Sequence, residues 1–257
     1  MRAKTSARPP DIVLCGDDEL GYVASRTRFV AGEGFALDES YRLAHLPLVA
    51  PHHPKVIASA PGKDYAMGRR GKTVSLVLPV PDIDDLLEAE LRATPFADKI
   101  AWDIVPRRRG KLHATLCGAP LALDAAQRRA LAGIGPITVE LRGLFSGTRN
   151  HGRLYLRVYP EKRDGEDLLA RVQRVLGRRE TGLYLVGLYN LVDDLDAHEA
   201  AALAGLIERW WDRPIRRWQV EALGLLEASD DLVLEGRIAE TISLQGLDAG
   251  NRSYPNP

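Results

Sequence analysis

Apolar and polar positions alternate most cleanly over residues 111–117. There Leu112, Ala114 and Leu116 interleave with Lys111, His113, Thr115 and Cys117. A period of two marks a strand with one apolar and one polar face. The same period predicts strands over residues 73–78, 136–145, 153–159, 183–191, 217–226 and 232–244. A further strand over 99–105 is expected to pair with 111–117 across the basic run Arg107-Arg108-Arg109-Gly110.

Between the strands lie helical signals. Pro81-Asp82 opens a helix reaching Arg92, with Asp82 as its cap, and Asp124 caps one running to Leu131. Residues 165–176 read as a helix stopped by Gly177. Asp196, with Glu199 three residues on, forms a capping box for a helix that continues to Trp211. Ahead of all this, residues 1–71 read as an N-terminal extension with a strand near 11–15 and a proline-punctuated loop at 46–54. The main domain spans 72–246, with a boundary near Gly71, and 247–257 form a C-terminal tail.

The order helix, strand, capped helix, strand occurs twice, as a weak internal repeat. Two such α+β halves facing each other would make a concave sheet with a cleft. Composition adds limits. The 257 residues carry 35 Lys+Arg and 35 Asp+Glu, so any attraction for phosphate has to be local. Two cysteines make no disulfide framework and suit a reducing cytoplasm. No apolar run approaches the ~18 residues of a membrane span, so no membrane partner is expected.

On the polar face of 111–117, His113 and Thr115 stand roughly 6.6 Å apart at ~3.3 Å per residue. An imidazole and a hydroxyl at that spacing grip one phosphate, the ring handling a proton and the hydroxyl donating to an oxygen. Arg109 and Lys111 share that face by the period-2 rule and would add positive field; a solvated hairpin edge explains them equally. Cys117 lies roughly 13 Å from His113 along the strand, too far for a nucleophile pair. His151 and His198 suit a turn and a helix start, while His45, His52 and His53 belong to the extension. No His, Cys, Asp and Glu set has metal-ligand spacing, and no phosphate-binding glycine loop appears, so neither metal nor cofactor is expected.

With His113-Ala114-Thr115-Leu116 in a strand of an α+β chain, residues 72–244 resemble the two-histidine (2H) phosphoesterases. These are the superfamily of the 2′,5′-RNA ligase-like proteins and cyclic nucleotide phosphodiesterases. The resemblance implies duplicated halves forming a concave antiparallel sheet with outer helices, each half carrying a His-x-Thr or His-x-Ser strand. By strand order the second motif falls at Gly187-Leu188-Tyr189-Asn190-Leu191. Leu188 then stands in the place of the histidine and Asn190 in that of the hydroxyl residue. The expected reading is a metal-independent phosphodiesterase or ligase for a 2′,3′-cyclic phosphate or cyclic nucleotide. His113 and Thr115 would be catalytic, with Asn190, Arg109 and Lys111 binding a small nucleotide or RNA end. A catalytically inactive relative that binds the same ligand, or an interaction domain working through the extension, are the alternatives.

Overall fold

The computed structural model describes residues 12–58, 72–83 and 86–245. The expected boundary near Gly71 and the tail 247–257 lie outside the described residues. In chain order the first elements are β1 (Val13–Leu14), α1 (Tyr22–Ser25), α2 (Glu39–Val49), α3 (Pro54–Ile57), β2 (Thr73–Pro79), α4 (Leu86–Arg92) and α5 (Ile104–Arg108). Then come β3 (His113–Gly118), α6 (Ala125–Ala132), β4 (Ile137–Phe145), β5 (Arg153–Arg163), β6 (Glu166–Asp167) and α7 (Leu168–Val175). β7 (Leu185–Asn190), α8 (Ala197–Trp210), β8 (Pro214–Val220), β9 (Ala222–Ala228) and β10 (Arg237–Ser243) complete the described chain.

The strands form one antiparallel sheet in the order β10-β9-β2-β3-β7-β5-β4-β8, with β1 and β6 added on β5. β3 and β7 therefore meet at its middle. β8 and β9 follow each other through Glu221 alone, yet lie at opposite ends of that order. One residue can join them only because the sheet curls and brings its two ends together.

Alternation sorts the side chains onto two faces. Leu76, Leu78, Ala114, Leu116, Leu156, Val158, Val186, Val139 and Leu141 enter the main core, each fully or almost fully buried. Leu87 and Leu91 of α4, Leu131 of α6, Leu169 and Val172 of α7, and Leu203, Leu206 and Ile207 of α8 join them. Each buried leucine or isoleucine contributes about 1.5–3 kcal/mol relative to exposure. The capping box predicted at Asp196 with Glu199 is present, and the predicted cap Asp124 also forms a box, with Gln127.

The opposite, concave face is unevenly filled. Across β4 and β5, Tyr22 of α1 packs on Phe145 and Tyr159, its hydroxyl donating to the carbonyls of Val158 (2.6 Å) and Tyr184 (3.1 Å). Tyr41 of α2 covers Gly152, whose φ of +120° and absent Cβ let the ring approach. Residues 12–58 are thus packed into this half of the face.

Three expected elements take another form. Residues 99–105 hold no strand; a 3-10 turn (Ala97–Lys99) and α5 stand there, because Ile100, Ala101, Ile104 and Arg108 recur at helical spacing and are all buried. β3 pairs instead with β2 and β7. Residues 217–226 split at Glu221 into β8, at one edge of the sheet, and β9, next to the edge strand β10 at the other. The loop expected at 46–54 is in part the last turn of α2, with Pro47 inside the helix. The described part of α4 starts at Leu86; residues 84–85, between it and the expected cap Asp82, lie outside the described residues, and the carbonyl of Asp82 accepts a hydrogen bond from Arg216 Nη1 at 2.5 Å.

Candidate functional site

β3 carries His113 and Thr115 onto the concave face because Ala114 and Leu116 are drawn into the core. Its neighbour β7 sets Val186 opposite Ala114, which brings Gly187 opposite His113 and Leu185 opposite Thr115. One strand further, Tyr155 of β5 pairs with Gly187, and Arg157 with Leu185. His113, Gly187 and Tyr155 therefore form one transverse row on one face. The middle place of that row has no side chain.

The gap is taken from the side by Arg153. A Cβ on Gly187 would overlap the Arg153 guanidinium, so a glycine here makes room for it. Arg153 lies over the Tyr155 ring, with 5.5 Å from Cζ to the ring centroid, and its Nη1 donates to the Asp231 carbonyl at 3.2 Å. Its Nε is buried and has no partner. A cavity of about 290 Å³ opens at this place, lined among others by Thr73, Ser75, His113, Thr115, Arg153, Tyr155 and the carboxylate residues Asp230 and Asp231.

Near it lies a second guanidinium, which lines a separate cavity with Arg109, Leu112, Leu188 and Tyr189 and acts electrostatically on Arg153 and His113. Arg108, 3% exposed, donates from Nη1 to the Leu188 carbonyl at 3.1 Å. Burial and the charge of Arg153 pull its pKa down to about 9, so it stays charged at neutral pH. Among the described residues, neither Arg108 nor Arg153 has a carboxylate within ion-pair reach. Asp230 is near enough to favour the charged form of Arg108, but its carboxylate already accepts the backbone N–H groups of Leu232, Leu234 and Glu235. Arg108 is buried and Arg153 half-buried, and a ligand anion beside them would offset the cost of holding that charge out of water.

His113 Nδ1 is 2.8 Å from the Lys111 carbonyl. A carbonyl only accepts, so Nδ1 carries the proton and Nε2 keeps its lone pair. Burial, and beyond it the charges of Arg108 and Arg153, hold the imidazole pKa below its usual value; the Lys111 carbonyl opposes them. The free ring is neutral at physiological pH and equipped to take a proton.

The other expected residues are distributed differently. Thr115 lines the cavity with His113. Lys111 lines an adjoining apolar cleft that also touches His113, with its Nζ donating to the Leu234 carbonyl at 2.6 Å. Arg109 ends α5 and lines a cavity on the other face of the sheet, with Leu112, Leu188 and Tyr189. Asn190 is buried, its Nδ2 donating to the Tyr41 hydroxyl at 3.2 Å, and the structure does not bring it into the cavity at His113.

A bulge explains Leu188 and Asn190. Between Leu154–Tyr189 and Tyr155–Gly187 the ladder skips Leu188. Strict alternation would give Leu188 and Asn190 one face; the extra residue sends Leu188 and Tyr189 together to the far side and returns Asn190 beside its partner Arg153. Arg153, Arg108, Tyr155 and Gly187 were missed in the sequence. One signal for three of them was there: the polar stripe Arg153-x-Tyr155-x-Arg157-x-Tyr159, and a lone glycine inside an apolar strand.

The fold and this cavity define an antiparallel α+β protein with a concave pocket lined by His113, Arg153, Asp230 and Asp231. No helix among the described residues is long and apolar enough to cross a membrane. No family model matches the chain, and no curated protein does. Among solved structures, that of TT0787 of Thermus thermophilus is similar, at 14% identity and a TM-score of 0.33 over 68% of this chain and 99% of that one.

Proposed function

We propose that this chain is a relative of the 2H phosphoesterases whose pocket at His113 receives the phosphate of a phosphodiester, as in a 2′,3′-cyclic nucleotide or an RNA end. The carrying observation is buried Arg108 and half-buried Arg153, neither ion-paired to a described carboxylate, beside an imidazole with a free Nε2. In this reading Arg153 and Thr115 hold the phosphate oxygens. Arg108 supplies field from outside the cavity, and His113 takes the proton of the attacking water. Lys111 adds charge at the rim, and Asn190 supports Arg153 from the neighbouring strand.

The duplication belongs to the same proposal. A two-fold axis through the Ala114–Val186 pair carries His113 onto Leu185 and Thr115 onto Gly187. Leu185-Val186-Gly187 then stands where a second His-x-Thr would be. That absence of a second imidazole favours one other reading, a relative that binds the phosphate without turning it over.

The two are separated by titrating the protein calorimetrically with inorganic phosphate and a 2′,3′-cyclic mononucleotide, then following hydrolysis of the latter. Turnover lost in His113→Ala, with phosphate binding kept, supports the phosphodiesterase. Binding without turnover supports the inactive relative. No binding by wild type at low salt removes both.

A further inference from the structure

We propose that Tyr155 is the second proton-transfer group of this pocket, giving its phenol proton to the oxygen that leaves phosphorus. The inference rests on the phosphodiester reading above. Its basis is the transverse row: His113 on β3, Gly187 on β7 and Tyr155 on β5 share one face at one level. At ~4.8 Å per strand the two outer backbones stand about 10 Å apart. Because the central residue is glycine, the Arg153 guanidinium lies between the imidazole and the phenol, and the three side chains line one cavity in which a phosphate can meet them together.

The hydrogen bonding around Tyr155 suits a donor. Asn150 Nδ2 approaches the phenol oxygen at 3.3 Å and can only donate to it. The phenol accepts there, and its own proton is left to point elsewhere. Tyr155 is 8% exposed, and what is exposed faces the cavity of His113 and a neighbouring one lined by Arg149, Asn150 and Thr181. Arg153, lying over the same ring, cannot serve as the acid, because a guanidinium does not release its proton in proteins.

In the hydrolysis, a water oxygen forms the new bond to phosphorus while His113 Nε2 takes its proton. The bond from phosphorus to the departing alkoxide breaks, its electron pair staying on that oxygen. The Tyr155 proton passes to that oxygen, giving an alcohol and a phenolate. Solvent then returns the proton held by His113 to the phenolate, which restores both groups.

The test compares leaving groups in the full-length protein. Tyr155→Phe is expected to lower kcat on a 2′,3′-cyclic mononucleotide by about 10²–10⁴-fold, the usual worth of a positioned acid. It should leave a nucleoside 5′-(p-nitrophenyl) phosphodiester almost unaffected, since nitrophenolate departs without a proton, and should keep phosphate binding. Equal losses on both esters, or none on either, overturn the proposal. A measurement on wild type guards against a variant that fails to fold: across aryl esters of rising basicity the rate should depend only weakly on the leaving group. A steep dependence in wild type also overturns it. If wild type binds phosphate but cleaves neither ester, the phosphodiesterase reading itself falls; if it cleaves both and the Phe variant does too, only the role of Tyr155 does.

Discussion

Arg153 and Arg157 lie four residues apart on β5, on the same face of the same sheet, in opposite circumstances. Arg157 is fully buried and answered by the protein itself. Asp17 pairs with it at 3.3 Å, the Trp211 carbonyl accepts from Nη2, and the Trp211 ring lies 3.6 Å from Cζ. Arg153 lines an open cavity, and its described partners are a carbonyl and a ring face. Each leaves its Nε unpartnered, so a missing hydrogen bond does not separate them. The carboxylate does. Where residues 12–58 fill the concave face, the chain provides the counterion; where the face is open, no described carboxylate pairs with Arg153, and that is the place proposed for the ligand.

The comparison breaks most readily at Asp17. Its carboxylate also accepts from the Tyr159 hydroxyl and from Trp211 Nε1 at 3.0 Å. Asp17→Ala strands a buried charge and is expected to cost about 3–5 kcal/mol in a denaturant melt. Arg153→Ala relieves an uncompensated cation and should leave stability unchanged or slightly raised. If Arg153→Ala destabilises as much as Asp17→Ala, both arginines are structural and the contrast is void.

Next in size is the effect on anion affinity. A hydrogen bond to a charged group is worth about 1.5–3 kcal/mol, so Arg153→Ala should weaken inorganic phosphate binding by roughly 10–150-fold. Gly187→Ala sharpens this without touching the cation. The added methyl displaces the guanidinium from its seat on β7. The loss should approach that of Arg153→Ala with the fold intact by circular dichroism. Phosphate affinity unchanged in Gly187→Ala would show that the seat has no bearing on binding.

The same contrast explains what could be read from the sequence. β3 with His113 and Thr115, and the capping boxes at Asp124 and Asp196, are written in residues close along the chain. Arg153, Tyr155 and Gly187 meet His113 only through registers between strands distant in sequence. One bulged residue, Leu188, reverses which of its neighbours share a face. The motif placed by strand order at Leu188 and Asn190 assumes an unbroken strand, which this bulge interrupts. α5 was read as a strand because Ile104 and Val105 are β-branched, although the buried set Ile100, Ala101, Ile104 and Arg108 follows a helical spacing. Nothing local to Asp17 announces its pairing with Arg157, 140 residues on.

The smallest effect, and the one most particular to the open half, is the pH dependence of His113. Burial beside two cations holds its pKa below the usual 6.5. Below that pH the unfolded chain takes up a proton that the folded chain refuses, so stability falls with pH until the folded ring also titrates, and is level beneath that point. A bound phosphate reverses the local sign: its negative charge favours the imidazolium, raises the folded pKa and shrinks the acid loss. An NMR titration of the ring protons should therefore find a midpoint below 6.5 in the free protein and a higher one with saturating phosphate. Arg153→Ala should raise the free midpoint by removing one of the cations. If phosphate leaves the midpoint where it was, the anion is not bound against His113, and the open half has lost the ligand that distinguishes it from the filled one.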